Sequence, residues 1–164
     1  MTEPSYRALY PRQMILITTA GTYREKRKDN ISTLAWSTPT SVRPELVAIS
    51  VNNSSLSFDF ILETEEFVIN IPSIEMKDKV LFCGTASGRT ADKFTETGFT
   101  AILAEKVKPK LIKECIANIE CELSGSIKTG DHTLFIGEIV AIRRNSENKQ
   151  KTLIDLGRRN FIGL

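Results

Sequence analysis

Short connections between the β-type segments constrain the fold of this chain most. Seven segments have the apolar and β-branched character of strands, and turn residues bound each of them. They are Met14 to Thr19, Ile31 to Thr38, Leu46 to Val51, Phe67 to Ile71, Thr100 to Ala104, Ile116 to Lys128 and Thr133 to Arg143. Most connections are too short for a crossover helix, which parallel strands require. The sequence therefore predicts a small antiparallel β-barrel rather than a doubly wound sheet.

The longest predicted hairpin turns at Thr129-Gly130-Asp131. Before the turn, apolar residues alternate with polar ones, which predicts one buried and one solvated face. The residues expected inside are Ala117, Ile119, Cys121 and Leu123, and those expected in water are Asn118, Glu120, Glu122 and Ser124. After the turn, the parity of the apolar positions changes at Gly137, which predicts a bulge.

Two short amphipathic helices are predicted between the strands. Ser54 or Ser55 can cap the first, and Ser73 can cap the second, which Gly84 ends. The residues expected on their buried faces are Leu56, Phe60 and Ile61 in the first helix and Met76, Val80 and Cys83 in the second. The basic stretch Arg24 to Lys28 is interpreted as an exposed hairpin tip.

Length and charge limit the organisation and the partners. The chain has 164 residues, which suits a single domain over residues 1–164, and it contains no internal repeat. The net charge of +2 is too small and too mixed to favour nucleic acid or an anionic membrane as partner. No apolar run is long enough for a membrane span, and the first residues lack signal-peptide character, so a cytoplasmic protein is expected.

The usual catalytic and metal-binding patterns are missing from the sequence. His132 is the single histidine, and Cys83, Cys115 and Cys121 have no C-x-x-C spacing, so no metal site is predicted and reduced thiols are expected. Neither a G-x-G-x-x-G motif nor a P-loop occurs. Cys83 is expected at a helix C-terminus, where the dipole raises a thiol pKa, so packing is favoured over nucleophilic catalysis. The reactivity of Cys115 is left open.

Two polar clusters suit an anion. The segment Ser87 to Phe94 predicts a turn that opens a short helix, with Arg89 and Lys93 one helical turn apart on one face. Their mutual repulsion is offset if a phosphate lies between them. The alternative, equally open, is that Arg89 pairs with Asp92 and Lys93 is solvated. The second cluster, Asn52 to Ser57, offers N–H groups and hydroxyls, although such a segment is more often only an N-cap.

Nine segments at ordered spacing form a recognisable set: residues 30–36, 43–51, 54–61, 67–72, 83–84, 87–89, 92–94, 118–121 and 130–138. In these segments the sequence resembles the flavin reductase-like family of FMN-binding split barrels, and within it the flavoredoxin branch. The resemblance extends over roughly residues 10 to 143.

The resemblance implies a mainly β fold, a six-stranded antiparallel split barrel of Greek-key type with a few short helices. It implies a homodimer that holds noncovalent FMN near the subunit interface. The residues that would border the flavin ring are Thr33, Leu34, Ala35 and Trp36, continued by Ser50, Val51 and Asn52. Those that would surround the ribityl chain and phosphate are Ser55, Ser57, Ser87, Arg89 and Lys93. His132 would lie on the hydride-donor side, unless it only makes a hairpin hydrogen bond beside Asp131.

Three regions depart from the family pattern. The basic hairpin Arg24 to Lys28 replaces a shorter turn that contains Gly and Pro, and the tail from Leu156 to Phe161 matches loosely. Asn52 stands where flavoredoxins often carry Arg, so phosphate neutralisation would depend more on Arg89 and Lys93.

The resemblance implies an FMN-dependent oxidoreductase or electron carrier of flavoredoxin type, with NAD(P)H or a redox protein as partner. Two alternatives stay open: an NAD(P)H:flavin reductase that releases reduced FMN, and a non-catalytic flavin-binding protein. In each case the flavin supplies the chemistry, which explains why no paired carboxylates or activated nucleophile occur.

Overall fold

The computed structural model describes residues 4–146, 149–158 and 160–164. These residues form twelve strands: β1 Arg12–Gln13, β2 Ile15–Tyr23, β3 Lys26–Leu34, β4 Ser37–Val42, β5 Glu45–Asn52, β6 Glu66–Ile71, β7 Ala101–Ile102, β8 Leu111–Ile112, β9 Ala117–Thr129, β10 His132–Arg144, β11 Leu153–Gly157 and β12 Asn160–Gly163. They also form three α-helices: α1 Leu56–Thr64, α2 Lys77–Thr85 and α3 Lys93–Thr97. Short 3-10 turns cover Ser5–Leu9 and Ile74–Met76.

The main sheet is antiparallel and has the strand order β3-β2-β6-β9-β10-β5-β4. Its two edge strands, β3 and β4, are consecutive in the chain and are joined only by Ala35 and Trp36. A two-residue link spans at most about 10 Å, so the sheet must curl until its edges come close. The Ser50 N–H donates to the Trp36 carbonyl at 3.0 Å, but β3 and β4 themselves do not pair. The result is an incompletely closed, split barrel.

The apolar core is divided by the curled sheet. Ile15 and Ile17 of β2 point into the barrel, where they meet Phe67 and Phe135, whereas Leu16 packs outward beneath α2. β2 is thus buried on both faces, which explains why it begins with three consecutive apolar residues, Ile15 to Ile17, rather than with alternating ones. Gly137 allows the barrel strands to pack closely, since a Cβ there would overlap the Phe67 ring.

The predicted fold class is confirmed, and the main sheet has seven strands where the resemblance implies six. The predicted segment Ile31 to Thr38 is in fact the end of β3, the link and the start of β4, on opposite edges of the sheet. The bulge at Gly137 is present as a register shift between β9 and β10. The stretch Arg24 to Lys28 forms an exposed two-residue hairpin turn, with Arg24 and Glu25 at φ 50° and 64° as a type I′ turn requires.

The prediction that one face of β9 is solvated was wrong in part. Asn118 and Glu120 are 1% and 2% exposed, because the segment from Glu105 to Ile112 covers them. The Glu120 carboxylate accepts the N–H groups of Glu105, Lys106 and Val107. Alternation along one strand does not reveal a covering loop whose backbone supplies the hydrogen-bond partners.

Ser55 caps α1, and its hydroxyl accepts the Phe58 N–H at 3.2 Å. The second predicted helix begins after Ser73 as a 3-10 turn, continues as α2 and ends at Thr85, one residue beyond Gly84. None of the helices in the described residues is long and apolar enough to cross a membrane. Two sequence interpretations fall partly outside the described residues. The lack of signal-peptide character concerns residues 1–3, and the loose family match of the tail includes Arg159.

Candidate functional site

A cavity of about 200 Å³ lies where β3 and β5 end, next to the start of α1 and the end of α2. The segment 86–92 between α2 and α3 covers its remaining side. We call it the inner cavity. The predicted cofactor residues that line it are Thr33, Leu34, Val51, Asn52, Ser55, Ser87, Arg89 and Lys93. The fold thus brings the two anion-friendly clusters of the sequence to one place.

The floor of the inner cavity is a polar cluster of Asn30, Ser32 and Ser57, in which Asn30 and Ser57 are buried and Ser32 is half-buried. Asn30 Nδ2 donates to Ser57 Oγ at 2.9 Å, and the Ser32 and Ser57 hydroxyls are also 2.9 Å apart. Ser57 is fully buried and does not line the cavity. This predicted ligand residue instead holds Asn30 and Ser32 in place through hydrogen bonds. Asn30 Oδ1 is buried and has no hydrogen-bond partner in the described part of the chain. An unpaired buried carbonyl oxygen is unfavourable, so this atom favours a ligand that brings an O–H or N–H group.

Gly88 lets the covering segment approach this floor. A Cβ at Gly88 would overlap Asn30 Oδ1, so a side chain there would displace either the segment or the amide. The segment is a tight turn, in which the Ser87 carbonyl accepts the Thr90 and Ala91 N–H groups. The Ser87 hydroxyl accepts the Arg89 N–H at 3.3 Å, so it is partly engaged within its own turn.

Arg89 and Lys93 do not share a helix face, contrary to the sequence prediction. α3 begins only at Lys93, and Arg89 lies in the turn before it. The Arg89 guanidinium bonds to Asp59 at 2.8 Å and to the Ser54 carbonyl at 3.3 Å, not to Asp92. The Asp92 side chain caps α3 instead, and its bonds to Thr95 lower the pKa of the Asp92 carboxyl. Arg89 is thus tied to α1 but remains about two-fifths exposed at the cavity.

Lys93 is buried, which neither reading of the sequence expected. Its ammonium donates to the Ile31 and Cys83 carbonyls, both at 2.7 Å, and only 4% of the residue is exposed. Burial lowers the pKa of Lys93. Two of its three N–H groups are therefore used to join α2 to β3, which gives this residue a structural role beside any contact with a ligand.

A second cavity of about 200 Å³, the rim cavity, adjoins the inner one because Thr33 and Leu34 line both. The remaining predicted ring residues line the rim cavity, namely Ala35, Trp36, Ser50 and His132. Tyr6 and Tyr10 also line it, although the sequence gave no signal for them, since they lie before the first predicted strand. Every predicted cofactor residue except Ser57 therefore borders one of two connected cavities.

His132 lies at the start of β10, with its ring 5.0 Å from the Trp36 ring. Its Nδ1 is 2.7 Å from Asp131 Oδ1, and this hydrogen bond lowers the pKa of the Asp131 carboxyl. The hairpin hydrogen bond beside Asp131 is therefore present, and His132 also lines the rim cavity. Its place on a hydride-donor side stays a prediction.

All three cysteines are free and buried. Cys83 borders the inner cavity but is buried, and burial raises the pKa of its thiol to about 11. Cys115 and Cys121 are also buried, which raises their pKa values. Among the described residues, no group of three or more His, Cys, Asp or Glu side chains is placed to hold a metal ion.

The chain is similar to a known protein family, to related sequences and to solved structures. Residues 6–162 match the sequence model of the flavin reductase like domain. An uncharacterized protein of Archaeoglobus fulgidus is 37% identical over 134 residues, which cover 82% of this chain and 73% of that protein. A flavin reductase of Pseudomonas putida is 30% identical over 68% of this chain and 62% of its own length. The structure of the flavoredoxin of Desulfovibrio vulgaris (Miyazaki F) matches with a TM-score of 0.85 at 27% identity, over 94% of this chain and 87% of that one.

Proposed function

The chain belongs to the flavin reductase-like family, and from this premise we propose that it is a redox protein that holds FMN noncovalently in the inner and rim cavities. The family membership supports a flavin-related redox role. The choice of FMN and the assignment of residues are our proposal.

The observation that carries the proposal is the unpaired Asn30 Oδ1 in the floor of the inner cavity. Buried polar atoms in folded proteins nearly always have a partner, and the exceptions often mark a place where a ligand binds. The ribityl chain of a flavin carries hydroxyl groups that can donate to such an oxygen. The polar floor of the inner cavity and the aromatic residues of the rim cavity therefore fit the polar tail and the flat ring of one flavin.

Arg89 is the residue we assign to the phosphate. It borders the inner cavity and keeps part of its guanidinium exposed, although Asp59 competes for it. Guanidinium groups bind phosphate through charge-assisted, often bidentate, hydrogen bonds. Lys93 adds positive charge at the wall of the inner cavity, and its bonds to the Ile31 and Cys83 carbonyls fix its position.

The rim cavity would orient the reactive ring. Thr33 and Leu34 end the edge strand β3, and Ala35 and Trp36 form the short link where the barrel is split, so backbone groups are accessible there that a continuous ladder would occupy. When bound, FMN accepts two electrons as a hydride and passes them on one or two at a time. His132 and Trp36, whose rings lie 5.0 Å apart, would border the face where an electron donor approaches.

Within this role we propose an oxidoreductase or electron carrier of flavoredoxin type, reduced by NAD(P)H or by a redox protein. The similarity to the Desulfovibrio flavoredoxin supports this choice. The second candidate is an NAD(P)H:flavin reductase that releases reduced FMN, which the similarity to the Pseudomonas flavin reductase favours.

An anaerobic titration tests the proposal. We expect the purified protein to bind one FMN per chain, with quenching of flavin fluorescence. Loss of the flavin absorbance on addition of NADH or NADPH would identify an enzyme, and retention of the reduced flavin on a desalting column would separate the flavoredoxin type from the flavin-releasing type. A protein that neither contains nor takes up FMN would contradict the proposal.

We further propose that the chain forms a homodimer around the rim cavity. An open, mostly apolar cavity of about 330 Å³ adjoins it, and Tyr6, Leu9 and Leu134 are among its lining residues. Leu9 is 64% exposed, and apolar surface of this kind is often covered by a second subunit. Sedimentation at micromolar concentration checks this, and an FMN-loaded monomer would contradict it.

A further inference from the structure

A cavity of about 350 Å³ lies at the split of the barrel, next to Ala35, and extends into the barrel interior. We call it the mouth cavity. Its inner wall consists of residues from four strands that belong to the barrel core or pack against it, namely Ile15, Val47, Ile69, Ile71 and Ile119. We propose that the mouth cavity binds an aliphatic monocarboxylate, that is, a fatty acid of medium length.

The wall of the mouth cavity suits an alkyl chain. Its remaining apolar lining is also aliphatic, and no aromatic side chain of the described residues takes part in it. The rim cavity, in contrast, is lined by two tyrosines and a tryptophan. A flat ring therefore fits the rim cavity better, whereas a flexible chain fits between the branched side chains of the mouth cavity. The volume of the mouth cavity lies within the range of about 300–1,000 Å³ that is typical of small-molecule sites.

Arg12 supplies the positive charge that a carboxylate needs. It lines the mouth cavity, it is half-buried, and it forms no ion pair in the described part of the chain. Asp155, which lies opposite Arg12 on β11, accepts the Gly157 N–H at 2.7 Å instead. None of the described lining residues is acidic, so no carboxylate within the cavity competes for Arg12.

The combination of one guanidinium with an aliphatic cavity determines the class of ligand. A guanidinium binds a carboxylate through charge-assisted, often bidentate, hydrogen bonds. Ser37 also lines the cavity and offers a hydroxyl donor. A single cation favours a monoanion over a doubly charged phosphate, and the apolar wall favours an anion that carries a hydrocarbon chain.

A second copy of this chain is the alternative occupant. Leu9 and Arg12 line both the mouth cavity and the apolar cavity at which we propose the homodimer. The core residues of the mouth cavity, however, do not line that other cavity. A partner surface can cover the entrance, whereas a flexible chain can reach the residues inside the barrel. The observations therefore favour a fatty acid, and this inference depends neither on flavin binding nor on the dimer.

Calorimetric titration of the purified protein with octanoate tests the site. We expect saturable binding of one octanoate per chain. Acetate has the charge without the chain and should not bind saturably, and 1-octanol has the chain without the charge and should bind about tenfold more weakly. Hexanoate should also bind about tenfold more weakly than octanoate, because it lacks two methylene groups that the cavity buries.

Two variants test the two parts of the site separately. Arg12→Gln should weaken octanoate about tenfold and leave octanol within about twofold. Its control, Arg24→Gln, removes an exposed charge from the β2–β3 turn and should leave octanoate affinity unchanged. Ile71→Phe fills part of the cavity and should weaken octanoate and octanol alike. Ile71 is only half-buried, so the larger side chain disturbs the core less there than at a fully buried position.

Three outcomes would overturn the proposal: no saturable octanoate binding, equal affinities for octanoate and octanol, or equal effects of Arg12→Gln and Arg24→Gln. Sedimentation with and without octanoate tests the alternative occupant. If octanoate converts a dimer into monomers, the second copy fills the mouth cavity and the proposal fails. An unchanged oligomeric state together with octanoate binding supports it. Octanoate binding by a chain that fails to bind FMN would refute the proposed function and leave this inference standing.

Discussion

Two buried polar clusters of this molecule look alike in composition but differ in how their polar atoms are satisfied. The first, the loop anchor, consists of Asn70, Asn118 and Glu120, which hold the segment before β9. The second is the floor of the inner cavity, Asn30, Ser32 and Ser57. Asn70 Oδ1 accepts from Ile112 N–H at 3.0 Å and from Asn118 Nδ2 at 2.8 Å, whereas Asn30 Oδ1 accepts from no described group.

This difference in hydrogen bonding indicates which cluster stabilises the fold and which one binds a ligand. A buried network whose members are paired stabilises one arrangement of the chain, and it leaves no group for a ligand. A buried acceptor without a partner is unfavourable in the empty protein, and a ligand that donates to it removes that cost. The loop anchor should therefore affect the stability of the fold, and the cavity floor should affect flavin affinity.

The largest effect is expected for Glu120→Ala. It removes the buried carboxylate that accepts three consecutive backbone N–H groups and leaves them without this acceptor, so the free energy of unfolding should fall by about 3 kcal/mol. Urea denaturation measures this. The control is Glu122→Ala on the same strand, whose side chain is exposed and which should change stability by no more than about 0.5 kcal/mol. Equal effects of the two variants would show that the segment is not held by Glu120.

The pair Asn70→Ala and Asn30→Ala tests the comparison most directly. Asn70→Ala should lower the free energy of unfolding by about 2 kcal/mol and leave FMN affinity nearly unchanged. Asn30→Ala should cost about 1 kcal/mol of stability, because it breaks the bond to Ser57 at 2.9 Å and a long one to Ser32 at 3.5 Å, and weaken FMN about tenfold. Fluorescence titration and denaturation of both variants check this, and the comparison fails if the two variants behave alike.

The sequence predicted the fold class because short connections and alternating strands are local signals. It did not predict that Ile31 to Thr38 crosses from one edge of the sheet to the other, since that depends on how the whole sheet curls. The two anion-friendly clusters came from the residue pattern, the residues around the flavin ring came from the family resemblance, and the buried roles of Glu120 and Lys93 were missed. Both are charged side chains whose partners are backbone groups distant in the chain, and no spacing in the sequence marks such contacts.

A smaller effect is expected for Arg89→Ala. Arg89 is partly exposed and already bonded to Asp59, so its net contribution to phosphate binding is reduced by the bond that it must weaken. We expect FMN affinity to fall about tenfold, with riboflavin, which lacks the phosphate, changed by less than about twofold. Stability should fall by no more than about 1 kcal/mol, because the ion pair is exposed. Equal losses for FMN and riboflavin would assign Arg89 a structural role instead.

The smallest effect is expected for Asp59→Asn, which separates two ways in which Arg89 can act. If Asp59 competes with the phosphate, its neutralisation frees the guanidinium, and FMN affinity should rise by about twofold. If Asp59 instead holds Arg89 in the orientation that the phosphate needs, the same change should weaken FMN. The Ser54 carbonyl also accepts from Arg89 and still orients it in the variant, so we expect competition to dominate. Titrations at low and high salt distinguish the two, because an affinity gain caused by released charge shrinks as salt screens it.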